Sequence, residues 1–217
     1  MKRDKPIFLM DANREWMKKA ESEIAYPIGQ LITPLSRFNN HGYPWFGIDS
    51  GAYTRFNAKG YWTRLAKELP NIDRCLFVAV PDVVGNARRT LECWHVWYQE
   101  LKKWPVALVM QDGIENLDIP WEQLSAVFIG GTDAFKKSQE AIQIVKAAKI
   151  LGKWAHVGRV NTWERLDRFA EVGMDSFDGT GLSLNGGRRR QISLPRFDYE
   201  NSNGISDGEI RGCTSVA

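Results

Sequence analysis

Cysteine, histidine, long apolar runs and an excess of either charge are all scarce in this chain, and each shortage excludes a class of protein. The three cysteines, Cys75, Cys93 and Cys213, are odd in number and far apart, with no Cys-x-x-Cys pair. That argues against a disulfide framework and a structural zinc site, and fits a reducing cytoplasm. None of the three histidines, His41, His95 and His156, has a metal-ligating partner three or four residues on. No metal and no cofactor is expected. No segment approaches the roughly 20 apolar residues that a membrane helix needs. The opening Met-Lys-Arg-Asp-Lys-Pro leads into only four apolar residues, too few for a signal-peptide core. A soluble, cytoplasmic protein with no membrane contact is the expectation. With 29 basic and 26 acidic residues the net charge is only +3, so composition does not announce a nucleic-acid binder. A local basic patch remains open, and its longest cluster is Arg188-Arg189-Arg190.

What is present is regular. In 217 residues with 43% hydrophobic content there is enough apolar surface for one domain. Eight short apolar runs recur: Ile7 to Met10, Gln30 to Thr33, Phe46 to Ile48, Cys75 to Val80, Val106 to Met110, Ala126 to Ile129, Trp154 to Val157 and Met174 to Phe177. Eight is the number of strands that closes a parallel barrel. Helical stripes separate most of them. Leu91, Trp94, Tyr98 and Leu101 share one face of a helix that Asn86 caps and Pro105 ends. Phe135, Ile142 and Val145 form another after Asp133, closed by Gly152. Asn161 and Glu164 read as a capping box opening a helix over Trp163 to Val172. The alternation predicts an α/β fold, a TIM-type (β/α)8 barrel over residues 1–185. Pro27, Pro34 and Pro44 leave one barrel helix missing near the start. Residues 186–217 lose all periodicity and read as a loop-like tail.

Polar residues follow the apolar runs at corresponding places. Asp49 and Ser50 follow the third run, Asp82 the fourth, Gln111 and Asp112 the fifth, Gly130 and Gly131 the sixth, Gly158 the seventh and Asp178 the eighth. Each alone is an ordinary loop or cap residue. In a barrel, however, all of them face the C-terminal mouth, giving carboxylates, an amide and exposed backbone around one pocket. His156 reads as a barrel-interior histidine or a substrate contact, and Asp112 and Asp175 as loop holders or reactive groups. Trp94, Trp97, Trp104, Trp154 and Trp163 read as packing, with Trp45 and Trp62 as weaker stacking candidates. Gly130-Gly131-Thr132 lacks the lysine of a P-loop.

Five motifs then carry a resemblance: Asp49-Ser50-Gly51-Ala52-Tyr53, Gln111-Asp112-Gly113, Phe128-Ile129-Gly130-Gly131, Val157-Gly158-Arg159-Val160-Asn161-Thr162 and Asp175-Ser176-Phe177-Asp178. In order and approximate spacing, over about residues 45 to 180, they resemble the tRNA-guanine transglycosylase superfamily, whose members exchange guanine in a polynucleotide for a 7-deazaguanine base on a TIM barrel. The resemblance implies Asp178 as nucleophile, Asp49 as the aspartate that handles protons, and Tyr53 as the aromatic that stacks on the base. It implies base binding by Ser50, Asp82, Gln111, Gly158 and the Gly130-Gly131 backbone. Arg159, Arg188, Arg189 and Arg190, with Lys59 and Arg64, are candidates for polynucleotide contact.

The chain lacks the cysteine-rich zinc site that the tRNA enzymes carry after the barrel, and Gly179-Thr180-Gly181 replaces the family's sequence after the nucleophile. It is therefore more similar to the small zinc-free branch that places 7-deazaguanine bases in DNA, often in viral gene sets. The implied activity is replacement of guanine in DNA by a preQ0-type base through a covalent aspartyl-glycosyl intermediate, with DNA and free bases as partners and with a homodimer or a partner protein open. The same residues leave room for a non-catalytic guanine-binding or polynucleotide-binding barrel, a tRNA-directed enzyme, or a glycosylase that removes the base by hydrolysis.

Overall fold

The computed structural model describes residues 5–24 and 26–179. Within them eight parallel strands close a barrel in chain order. They are β1 (Ile7–Met10), β2 (Ile28–Ile32), β3 (Phe46–Ile48), β4 (Cys75–Ala79), β5 (Val106–Met110), β6 (Ala126–Ile129), β7 (Trp154–Val157) and β8 (Ser176–Phe177). Closure is made by β8 pairing with β1 at Ile7↔Ser176 and Phe8↔Phe177. The expected barrel is thus the observed one. Five of the eight apolar runs coincide with their strands; β2 begins two residues before Gln30, β4 stops at Ala79, and β8 is cut to two residues.

The helices are α1 (Arg14–Glu23), α2 (Ala58–Glu68), α3 (Ala87–Leu101), α4 (Asp133–Lys137), α5 (Gln139–Ile150) and α6 (Trp163–Glu171). Asn86 caps α3 by accepting from the Arg89 N–H. Its buried face runs through Thr90, Cys93, Trp94, Trp97 and Leu101, while Leu91 and Tyr98 lie only half-buried. Thr162, not Asn161, caps α6, because its hydroxyl reaches the Arg165 N–H three residues on. The single helix expected after Asp133 is two, broken where Ser138 leaves helical geometry to cap α5.

As expected from the prolines, no helix joins β2 to β3. The buried Gln30 amide donates to Asn39 O and accepts from the His41 N–H, and Arg64 donates to Ser36 O, so polar side chains replace helical packing there. A second helix is missing between β5 and β6. Two short 3-10 turns, Ile114–Asn116 and Trp121–Gln123, take its place, and the Trp94 indole holds the second through Gln123.

Alternation along the strands produces two cores. Phe8, Ile28, Phe46, Val78 and Leu108 point outward against the helices, whereas Ile7, Leu9, Leu31, Phe77, Ala79, Ala107, Val109, Ala126 and Phe128 fill the interior. The interior is narrow, and Gly47 is required by it: a Cβ there would lie 2.5 Å from the Phe77 ring. Continuing the inward row of each strand by two residues arrives at Asp49 on β3, Gln111 on β5, Gly130 on β6, Gly158 on β7 and Asp178 on β8. The parity of the strands therefore delivers these residues to one mouth.

Candidate active site

A pocket at that mouth is lined by Asp49, Tyr53, Asp82, Gln111, Gly130, Gly131, Gly158, Arg159 and Asp178, together with Lys136 and the apolar Leu31, Val84, Val109 and Phe128. Each of the five motifs, and Asp82, thus contributes to one cavity. Ser50 is wholly buried beside it rather than on its surface, and its hydroxyl accepts the Ala52 N–H. Arg188, Arg189 and Arg190 lie outside the described residues. Arg64 is a correction: its side chain braces the β2–β3 loop instead of lining the mouth. Among the described residues no three His, Cys, Asp or Glu side chains converge to hold a metal ion.

On the β4–β6 side, polar groups interlock. The Gln111 amide accepts the Gly85 N–H at 2.8 Å and donates to Asp82 Oδ2 at 2.6 Å, which fixes which end of the amide faces the carboxylate. Burial, and then the neighbouring Asp49 charge, push the Asp82 carboxyl up to about 7. Asp49 is raised as well, chiefly by burial, although the Gly51 N–H donating to its Oδ1 at 2.9 Å works the other way and Asp178 adds to the rise. The loop after β6 is held by Asp112, whose carboxylate accepts both the N–H and the hydroxyl of Thr132. Gly131 sits there at φ +72°, and a Cβ would meet Phe135 at 2.6 Å and the Asp112 carboxylate at 2.7 Å. Because the Gly130 N–H donates to Met110 O, presentation of a backbone donor falls to Gly131.

The β7–β8 side is built differently. Asp178 accepts the Arg159 N–H on Oδ1 at 2.8 Å and meets His156 Nε2 with Oδ2 at 3.0 Å. His156 is wholly buried between the Phe77 and Phe128 rings, and its Nδ1 lies 2.9 Å from Ser176 Oγ. The Trp154 indole N–H donates to the same oxygen at 2.9 Å. Every donor is satisfied when Ser176 gives its proton to His156 Nδ1 and the Nε2–H points at Asp178. Serine, histidine and aspartate in a row invite comparison with a hydrolase triad. Here the serine is fully buried and the aspartate faces the pocket, so the hydroxyl is no nucleophile.

Arg159 takes left-handed geometry at φ 57°, unusual for a residue with a side chain. Three contacts hold it: its N–H on Asp178, its carbonyl accepting from Arg165, and its guanidinium 4.3 Å from the Tyr53 ring centroid. Tyr53 is 56% exposed, which fits a rim aromatic.

The sequence reading missed Lys136, the apolar floor of Leu31, Val109 and Phe128, and the coupling of His156 to Asp178. Adjacent Lys136-Lys137 reads as a solvated charge pair, yet Lys136 is 3% exposed. Position parity was the available signal for the floor and for His156. Asp175 proves to be a loop holder, accepting from Lys149 and the Ala155 N–H. Trp62 stacks on Trp97 at 5.4 Å and does not line the pocket, while Trp163 is 50% exposed rather than packed.

No family model and no curated protein matches the chain. Among solved structures, the PaMucR phosphodiesterase in complex with c-di-GMP is similar over 65% of this chain and 62% of that one, less than two thirds of its length. The identity is 15% and the TM-score 0.41, too low a likeness to bear on chemistry.

Proposed function

We propose that the protein is a base-exchanging transglycosylase that replaces guanine in DNA by a 7-deazaguanine base. The supporting observation is the convergence of Asp49, Asp82, Gln111, Gly131, Tyr53 and Asp178 on one pocket at the C-terminal mouth of the barrel. Guanine carries N1–H and an amine as donors and O6 as an acceptor, so the Asp82–Gln111 side suits the donors and the Gly131 backbone suits the acceptor. Tyr53 offers a face on which an unstacked base can rest.

In this reading Asp178 attacks the anomeric carbon as the bond from that carbon to guanine N9 breaks, forming a glycosyl ester. Asp49 gives the departing base its proton. The incoming base then returns a proton from N9 to Asp49 and attacks the same carbon, releasing Asp178 as carboxylate. Burial that raises the Asp49 carboxyl suits a group that must hold a proton and take it back. His156 and the Arg159 N–H hold the attacking carboxylate in place. Arg159 at the rim provides a contact for a phosphate backbone.

The test is exchange of isotope-labelled guanine into guanine-containing DNA and tRNA by the full chain and by Asp178→Asn. Exchange into DNA that falls at least about 10⁴-fold in the variant, with guanine affinity kept, supports the reading. Guanine binding without exchange favours a non-catalytic barrel. An abasic product favours hydrolysis, and exchange into tRNA alone moves the substrate.

A further inference from the structure

We infer that Ser176 and Trp154 are positioning residues for the nucleophile, holding Asp178 through His156 by a one-way line of hydrogen bonds inside the barrel. The role rests on the reading of Asp178 as nucleophile and adds to it two residues that do not line the pocket.

The line follows from strand parity. Trp154 and His156 lie two residues apart on β7, and Ser176 and Asp178 lie two apart along β8 and its end, so each pair shares a face. Pairing of β7 with β8 sets His156 beside Ser176. The side chains therefore alternate between the two strands on the way to the mouth. The Trp154 indole N–H donates to Ser176 Oγ at 2.9 Å, that oxygen lies 2.9 Å from His156 Nδ1, and His156 Nε2 lies 3.0 Å from Asp178 Oδ2. His156 and Ser176 are wholly buried, and the Phe77 and Phe128 rings flank the imidazole at 4.6 and 4.5 Å. Polar side chains at such a place cost desolvation that apolar ones would not. The group at the end of the line, Asp178 in the pocket wall, gives a reason for them.

Trp154 sets the direction. An indole has a proton to give and no acceptor to offer, so Ser176 Oγ accepts in that bond. With the imidazole proton on Nδ1, the serine would accept twice, its own proton would be buried without an acceptor, and a bare Nε2 would face the carboxylate. With the proton on Nε2, the serine donates to Nδ1 and each of the three donors is used. Ser176 also fixes which edge of the ring faces the mouth. An imidazole held only between two phenylalanine rings is free to turn over, which puts a carbon where Nε2 stands; the bond to Nδ1 excludes that flip. Asp178 then keeps both oxygens engaged, Oδ2 on His156 and Oδ1 on the Arg159 N–H, and its carboxylate has one orientation from which to attack. Trp154, whose ring packs against the interior core, thus acts on the nucleophile from three hydrogen bonds away.

The experiment joins histidine nitrogen NMR of the full chain to base-exchange kinetics of Ser176→Ala, Trp154→Phe and His156→Leu, with Ser176→Ala also made in the His156→Leu background. The wild-type His156 signal, identified by its loss in His156→Leu, is expected to show a proton on Nε2 and a bare Nδ1. Ser176→Ala should lower kcat about tenfold and Trp154→Phe a few-fold, both at unchanged KM. In the His156→Leu background Ser176→Ala should add no further loss, because it acts only through the histidine. A proton on Nδ1 in the wild-type chain overturns the inference without any variant. Equal losses in the two backgrounds overturn it as well, since they assign Ser176 to packing. If the wild-type chain exchanges no base, the transglycosylase reading itself fails; if it exchanges normally and Ser176→Ala leaves kcat unchanged, the positioning role alone fails.

Discussion

On one side of the mouth Asp49 and Asp82 stand in partly buried positions where desolvation raises both carboxyls, with repulsion from Asp178 adding to the rise at Asp49 and repulsion from Asp49 adding to it at Asp82; on the other, Asp178 is held by a histidine and a backbone N–H. The residue type is the same and the environments are opposite. A carboxyl raised towards neutrality suits proton transfer and reading of a base edge, whereas one gripped by two hydrogen-bond donors suits a fixed position from which to attack. The second environment is rigid by construction. His156 is clamped between two phenylalanine rings, and Arg159 is kept in left-handed geometry by its contacts with Asp178, Arg165 and Tyr53. The difference between the two environments thus follows from packing across the mouth rather than from the local motifs around each aspartate.

The division breaks most visibly at Asp49. Asp49→Asn is expected to slow exchange by about 10²–10⁴-fold with guanine affinity nearly unchanged, measured by steady-state exchange beside direct binding. Loss of affinity equal to the loss of rate would assign Asp49 to binding. Next comes the support of Asp178. His156→Leu is expected to lower kcat by roughly 10²-fold at unchanged KM, and His156→Gln, which restores a donor near Asp178, to recover part of it. A fall in thermal stability with kcat preserved would reduce His156 to packing.

A third effect follows from Asp82, whose carboxyl lies near 7. Below that pH it is protonated and offers one acceptor fewer to the guanine donors, so guanine binding should strengthen as pH rises from about 5.5 to 8, by up to about tenfold. Asp82→Asn should flatten that profile. The folded chain also binds a proton that the unfolded chain lacks between the ordinary carboxylate range and 7, so the contribution of Asp82 to stability declines as pH rises through 7. The smallest effect belongs to the rim. Arg159→Ala should weaken DNA binding a few-fold and reduce its salt dependence by about one phosphate contact.

The barrel was legible because each strand is a short apolar run with a polar residue or glycine after it, and because parallel strands buried on both faces have no polar alternation to confuse them. Asp49, Gln111 and Asp178 were legible for the same reason, being the residues at which each inward row leaves the core. What escaped did so for physical causes. The second missing helix, between β5 and β6, is replaced by turns whose packing rests on Trp94 and Gln123, 29 residues apart. Lys136 is buried by the sharp turn at Gly131 and by the break at Ser138, so its neighbour Lys137 gives no hint of it. The His156–Asp178 bond joins residues 22 apart in sequence, and it is the β7–β8 pairing, with His156 beside Ser176, that brings them together.

Base exchange by the proposed route requires Asp178 to form a covalent bond to the sugar. Incubating the full chain with guanine-containing DNA, quenching with denaturant and mapping the adduct by peptide mass spectrometry tests it most directly. A glycosyl adduct on the peptide carrying Asp178, absent in Asp178→Asn and discharged on adding a 7-deazaguanine base, is the predicted result. Base exchange that proceeds with no adduct, or an adduct carried by Asp49, would contradict it.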